Sequence, residues 1–115
     1  MLKARSDAPV RVLVVWEPVL PTDWGSPSPS LTAFVADQRA IHFFDRDRRL
    51  SASMGGPAMV QKLAADSKIE FEMKDVIWDV AFVYPPGARW GDRAASARAP
   101  VVDFGGDLSA ALAVR

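Results

Sequence analysis

The 115-residue sequence predicts an α/β fold with a mixed sheet of four or five strands flanked by helices. The first observation is the apolar run VLVVW at 12–16, which is rich in β-branched residues and suits a strand buried on both faces. The second is a predicted helix at 29–37 followed by another apolar run at 40–44, which together indicate two parallel strands. The third is an apolar strand at 78–84 followed by a proline–glycine turn, which predicts an antiparallel hairpin.

The chain before the first helix divides into a lead-in, a strand and a loop. Residues 1–9 are predicted to be a flexible lead-in, and residues 10–115 a single domain that opens with a strand over 10–16. Pro18 and Pro21 end this strand, because proline cannot donate the hydrogen bond that a sheet ladder needs. The loop that follows lies where α/β folds usually carry their functional groups.

A helix is predicted over residues 29–37. Ser28 suits the N-cap position and Pro29 the first helical position, since a serine hydroxyl accepts a backbone N–H and proline lacks one. Three apolar residues are spaced to share one face of this helix: Leu31, Phe34 and Val35. We therefore expect that face to be packed.

The middle of the chain is predicted to alternate between strands and helices. Residues 40–44 (AIHFF) form the second strand, which the charged run at 45–49 (DRDRR) ends. A helical turn follows at 50–54, and a helix over 57–66 begins at a proline after two glycines. Residues 69–73 alternate between apolar and charged types, the pattern of a half-buried strand; the alternative is that residues 68–74 cross the sheet as a loop.

The last third of the chain is predicted to form a hairpin, a loop and a helix. A strand covers 78–84, the sequence PPGA at 85–88 makes a turn, and Arg89 and Trp90 begin the returning strand. Residues 91–100 are small and polar and indicate a flexible loop. The remaining predicted elements are a short edge strand at 101–104 and a terminal helix at 108–114 capped by Asp107.

The element order and the opening stretch resemble the thioredoxin-like fold. In that family a buried strand ends in a tryptophan, and a Cys-x-x-Cys pair opens the next helix. Aligning Trp16 with that tryptophan places residues 20–23 (LPTD) on the redox motif, so both cysteine positions hold other residues. The cis-proline of the family is also absent from the matching stretch at 76–79 (VIWD).

Three phrases carry a narrower resemblance, to bacterial thioredoxin-like proteins that lack the redox pair. They are VVWEPVLPTDW, HFFDRDRRLS and WDVAFVYPPGARW. The resemblance implies a thioredoxin-like three-layer sandwich without thiol–disulfide oxidoreductase activity.

Composition and charge exclude several classes of function. Fourteen basic residues balance fourteen acidic ones, so no net field favours nucleic acid or an anionic membrane. The absence of cysteine excludes disulfides, thiolate metal sites and thiol catalysis. No signal-peptide pattern and no apolar run of about 20 residues is present, which predicts a cytoplasmic protein.

The loop after the first strand carries most of the candidate site residues. Glu17, Thr22, Asp23 and Trp24 lie in this loop, and Trp78 joins them from the matching face on which thioredoxin-like proteins bind extended peptides. We expect these five residues to form the surface of a redox-inactive module that binds a protein or peptide. The structural alternative is that Thr22 and Asp23 hydrogen-bond within a proline-rich turn while Trp24 packs over the helix.

Two other classes of function stay open. One is a cofactor-free enzyme or small-ligand protein with a site near Asp23, His42 and Asp45, although the sequence favours the binding module over an enzyme. A single histidine cannot supply a histidine-rich metal site, and no metal or cofactor is implied. The other is a structural or dimerising subunit that uses the strand at 101–104 as an exposed edge.

The charged run at 45–49 has two interpretations. Three arginines interleaved with two aspartates favour a self-neutralised turn in solvent. The alternative is a small anion clamp that uses Arg46, Arg48 or Arg49. A calcium loop is excluded, because Leu50 stands where that loop requires glycine.

Overall fold

A computed structural model describes residues 2–3, 6–54, 76–98, 101 and 110 of the chain. These residues contain four strands and two short α-helices. The strands are β1 (Val12–Trp16), β2 (Ala40–Phe44), β3 (Ala81–Val83) and β4 (Ser96–Arg98). The helices are α1 (Pro29–Thr32), which a 3-10 turn extends over Ala33–Val35, and α2 (Arg49–Ser53).

Strands β1 and β2 pair in parallel, in a register that runs from Val12 opposite Ala40 to Trp16 opposite Phe44. The chain between them crosses over through α1, so the predicted β–α–β unit is confirmed. The predicted bounds of β2 are also confirmed, whereas β1 begins two residues later than predicted.

Helix α1 begins as predicted and ends early. Ser28 Oγ accepts a hydrogen bond from the Leu31 N–H at 3.4 Å, and Pro29 occupies the first turn. After Thr32 the chain tightens into the 3-10 turn, so the spacing that would place three apolar residues on one face is lost. Leu31 and Phe34 are exposed, Phe34 to 83%, and the predicted packed face is wrong.

The apolar run at 12–16 predicted a strand buried on both faces, but the β1–β2 pair is not buried on both faces. Leu13 and Ile41 are register partners on one face, and both are exposed, as is Phe43. The other face, which includes His42, lies towards the 3-10 turn after α1 and is half-buried. The apolar run predicted the strand correctly, but hydrophobicity alone does not show which face is covered.

Strands β3 and β4 pair antiparallel, with Phe82 opposite Ala97. The strand predicted at 78–84 is shorter because Asp79 has a φ of 52°, a left-handed conformation that interrupts the extended chain. The returning strand is β4, not Arg89 and Trp90, so the prediction of a loop over 91–100 is wrong in part.

The hairpin uses small side chains where a loop was predicted. Ala97 in β4 is completely buried, and Ala94 is 7% exposed. Beside β4, the Ala95 N–H donates to the Val83 carbonyl at 2.8 Å. Small residues pack closely against a neighbouring backbone, which the apolar patterns used to predict strands do not register.

The prediction of a thioredoxin-like sandwich is wrong. The described residues form two separate two-stranded sheets, β1–β2 and β3–β4, and no sheet of four or five strands. The fold of this part of the chain is a small α/β arrangement, in which the strands were predicted better than their pairing. The helices predicted at 57–66 and 108–114 and the strand at 69–73 lie outside the described residues, as does the edge strand at 101–104 apart from Val101.

Arg39 ties the start of the chain to the loop before β2. Its guanidinium donates to the carbonyl oxygens of Leu2 at 2.8 Å and Ala8 at 3.1 Å, and Ala8 is 4% exposed. The same guanidinium forms an ion pair with Asp37 at 2.8 Å. Among the described helices, none has the length and apolar character needed to cross a lipid bilayer.

Candidate functional site

The candidate site lies at the carboxyl ends of β1 and β2. Because these strands are parallel, the chain leaves both at the same edge, through Glu17 after β1 and Asp45 after β2. The Asp45 N–H donates to the Trp16 carbonyl at 2.8 Å, which holds the two exits side by side. The edge at which α/β folds usually place functional groups is therefore formed by residues 17–24 and 45–48.

Glu17 supports the fold at this edge. Its carboxylate accepts hydrogen bonds from the Ser51 N–H at 3.0 Å and from the Ser51 hydroxyl. The Ser51 hydroxyl in turn accepts from the Ile77 N–H at 2.9 Å. Glu17 therefore connects the end of β1 to α2 and to the segment before β3.

Asp45 caps the start of α2. Its carboxylate accepts a hydrogen bond from the Leu50 N–H at 2.7 Å. Burial opposes its ionisation, but hydrogen bonds from the backbone N–H groups of Leu50 and Arg49 and with the Glu17 side chain lower the pKa of Asp45 overall. An ionised carboxylate with this role is not poised as a general acid at neutral pH.

Of the neighbouring polar residues Thr22 and Asp23 in the loop after β1, Asp23 stabilises the local structure and Thr22 does not. The Asp23 carboxylate accepts hydrogen bonds from the Leu20 N–H at 2.8 Å and the Val19 N–H at 3.2 Å, which folds the loop back on itself. This is the structural alternative that the sequence had left open for Asp23. Thr22 is exposed, and its side chain has no hydrogen bond to any described residue.

His42 uses both of its ring nitrogens within the β1–β2 unit. Trp16 Nε1 donates to Nδ1 at 3.0 Å, which leaves Nε2 to donate to the Val35 carbonyl at 3.3 Å. The two rings are stacked, with centroids 6.0 Å apart. Asp23, His42 and Asp45 are therefore each hydrogen-bonded to other groups of the described structure, and none of these hydrogen bonds joins one of the three to another.

A groove of about 370 Å³ lies between the two loops at this edge. One wall is almost entirely apolar: Pro18, Val19, Leu20, Pro21 and Trp24. The other wall consists of Arg46, Asp47 and Arg48. Trp24 is 64% exposed, so its indole does not pack over the helix as the structural alternative had it.

The charges of the second wall are not self-neutralised. Asp47 pairs with Arg49 at 3.2 Å in an exposed ion pair, and Asp45 is occupied by backbone N–H groups. Arg46 and Arg48 consequently form no ion pair with any residue of the described ranges. The prediction of a neutralised turn is wrong for these two arginines, which border the groove.

The sequence-predicted site residues are only partly brought together. Trp24 lines the groove, whereas Glu17 and Trp78 do not, although Trp78 is 47% exposed. Arg46 and Arg48 were outside the predicted binding set. The signal that points to them is their position directly after the second of two parallel strands, because such positions meet the loop after the first.

In the described part of the chain no three histidine, aspartate or glutamate side chains form a group that would hold a metal ion. The functional inference therefore depends on the groove and its two walls. Comparisons with protein-family models, curated proteins and solved structures found no match to this chain.

Proposed function

We propose that the chain is a binding module that accepts a short extended segment of a partner protein in the groove between residues 18–24 and 46–48. The observation that carries this proposal is the exposed indole of Trp24 on an apolar wall, across a groove of about 370 Å³ from two arginines, Arg46 and Arg48, that form no ion pair within the described residues. A volume of this size holds one or two side chains of a peptide. Exposed tryptophan and arginine are the residue types that contribute most to protein–protein affinity.

The chemistry of the groove favours binding over catalysis. Its apolar wall contains two prolines and an exposed aromatic ring, which bind an extended peptide through apolar contact at a low cost in side-chain entropy. The carboxylates nearby, Glu17 and Asp45, are occupied by hydrogen bonds that support the fold. The groove thus has contact area and charge, and these two carboxylates already serve the fold as hydrogen-bond acceptors.

The experiment is a selection of random peptides displayed on phage against the immobilised full chain. We expect enriched peptides that bind the wild-type chain and bind the Trp24→Ala variant about tenfold more weakly, because an anchoring aromatic commonly contributes 1.4 kcal/mol or more. Trp90→Ala is the matched control, since Trp90 is 78% exposed and does not line the groove. Failure to enrich any peptide, or equal loss in both variants, would refute the proposal.

A further inference from the structure

We infer that the segment bound in the groove carries an acidic side chain next to its apolar one, and that Arg46 and Arg48 bind this carboxylate. The inference rests on the proposed function and names the chemistry of the partner. It assigns the two walls different tasks: the wall that contains Trp24 binds an apolar side chain, and the wall that contains the two arginines selects a negative charge.

The distribution of ion pairs supports an acidic partner. Of the three arginines in the run at 45–49, only Arg49 has a carboxylate partner among the described residues, Asp47 at 3.2 Å. The Asp45 carboxylate faces the backbone of α2 and is not available to the arginines. The groove therefore presents two guanidinium groups whose charge nothing in the described part of the chain neutralises.

The chemistry of guanidinium favours a carboxylate as the bound group. Arginine presents N–H donors in a planar fork that matches the two oxygens of a carboxylate, and this pairing is charge-assisted. An apolar wall opposite lowers the local dielectric constant, which strengthens the interaction relative to bulk water. A peptide that offers only apolar side chains would satisfy one wall and leave the other without a partner.

The backbone of Arg48 is an independent observation. Arg48 has φ 55° and ψ 35°, a left-handed conformation that glycine or asparagine adopts at lower cost. It also occupies the N-cap position of α2 without any side-chain cap hydrogen bond. The Arg48 N–H donates to the Asp45 carbonyl at 3.3 Å and its carbonyl accepts from the Ala52 N–H at 3.1 Å, so this conformation forms the turn into α2. The same turn places the Arg48 side chain on the groove wall, where it presents its charge to a bound segment.

The test uses the peptides that the phage selection enriches. We expect glutamate or aspartate to be over-represented beside the apolar anchor. A synthetic copy of the leading peptide, with each acidic residue replaced by its amide, should bind about fivefold more weakly in fluorescence anisotropy, because an exposed ion pair contributes about 1 kcal/mol. The difference should shrink as salt is added, since screening weakens exposed charge pairs.

Three variants assign the effect to particular arginines. Arg46→Gln and Arg48→Gly should each lose about threefold to fivefold in affinity for the acidic peptide and little for its amide copy. Arg93→Gln changes the net charge by the same amount at an exposed arginine that does not line the groove, so its affinity should be nearly unchanged. Arg48→Gly should also be at least as stable as the wild type, which separates lost binding from lost folding.

The outcomes distinguish the inference from the proposed function. Enriched peptides without acidic residues, or an amide copy that binds equally well, would refute the acidic partner and leave the binding module intact. Equal losses in all three arginine variants would reduce the effect to general charge attraction and also refute the inference. Failure to enrich any Trp24-dependent peptide would refute both.

Discussion

Ser51 is the completely enclosed polar side chain of the described core, with 1% of its surface exposed. Its hydroxyl donates to Glu17 and accepts from the Ile77 N–H, so both hydrogen-bonding capacities are satisfied at once. Serine is the smallest side chain that does both in so little space. The sequence does not reveal this role, because a serine in a short helical turn is more often exposed.

Replacing Ser51 with alanine is expected to lower the free energy of unfolding by about 1–3 kcal/mol. The substitution leaves the Ile77 N–H without its acceptor and removes one of the two donors to Glu17. Urea denaturation measures the change. The control is Ser53→Ala, since Ser53 is exposed and bonds only the Leu50 carbonyl, and it should cost less than about 0.5 kcal/mol. Equal costs for the two variants would contradict the role of Ser51.

Asp37 is expected to make the free energy of unfolding depend on pH in the acidic range. The hydrogen bond from the Arg39 side chain, followed by that from the Arg39 N–H, lowers the pKa of Asp37 from 3.8 to about 2. A carboxylate with a lowered folded-state pKa stabilises the protein above its unfolded pKa, and the contribution is lost as pH falls towards the folded value. Stability should therefore decline between these two values as Asp37 is protonated.

The variant Asp37→Asn tests this dependence. It should be less stable than the wild type at neutral pH, and the difference should disappear as pH falls from 3.8 towards 2, as followed by urea midpoints at several pH values. Asp47→Asn is the control, because its ion pair with Arg49 is exposed and contributes little to stability. A constant difference between Asp37→Asn and the wild type at every pH would contradict the role of the ion pair with Arg39.

At the scale of elements, the features that were predicted correctly are those that depend on neighbours in the chain. Strand β2, the cap at Ser28 and the turn at 85–88 each follow from residue types within a few positions. Strand β4 was missed because it is short, and its buried residue is the small Ala97. Pairing depends on contacts between distant parts of the chain, which one sequence does not display.

The turn at 85–88, which follows β3, provides a test at the scale of elements. The Ala88 N–H donates to the Pro85 carbonyl at 3.2 Å, and Gly87 has a φ of 80°, as the third position of a type II turn requires. Gly87→Ala should cost about 1 kcal/mol of unfolding free energy, because alanine is disfavoured at positive φ. Gly25→Ala is the control: neither glycine has a neighbouring atom that an added methyl group would meet, and Gly25 has no positive φ. Equal costs in thermal or urea unfolding would contradict the turn conformation.

At the scale of the whole molecule, the location of the candidate site was predicted better than its residues. Parallel strands place their carboxyl ends together in many folds. The expectation of a site at the edge after β1 therefore does not depend on the thioredoxin-like sandwich that was wrongly predicted. Trp24 lines the groove, whereas the Asp23 carboxylate accepts hydrogen bonds within its own loop. The position of Arg46 and Arg48 on the groove wall depends on how the loop after β2 faces the loop after β1, which the order of residues does not specify.

The described core lies away from the outer face of β1, and this arrangement predicts an unusual order of mutational costs. Val76 is completely buried, whereas Leu13 in the middle of an apolar strand is 59% exposed. Val76→Ala should cost about 2 kcal/mol, the value expected when two methyl groups leave a packed site. Leu13→Ala removes one more carbon atom but should cost less than about 1 kcal/mol, because much of that side chain already contacts water. Urea unfolding of both variants gives the order directly. A larger cost for Leu13→Ala would mean that the outer face of β1 is covered in solution, since only a covered leucine loses that much apolar contact on truncation.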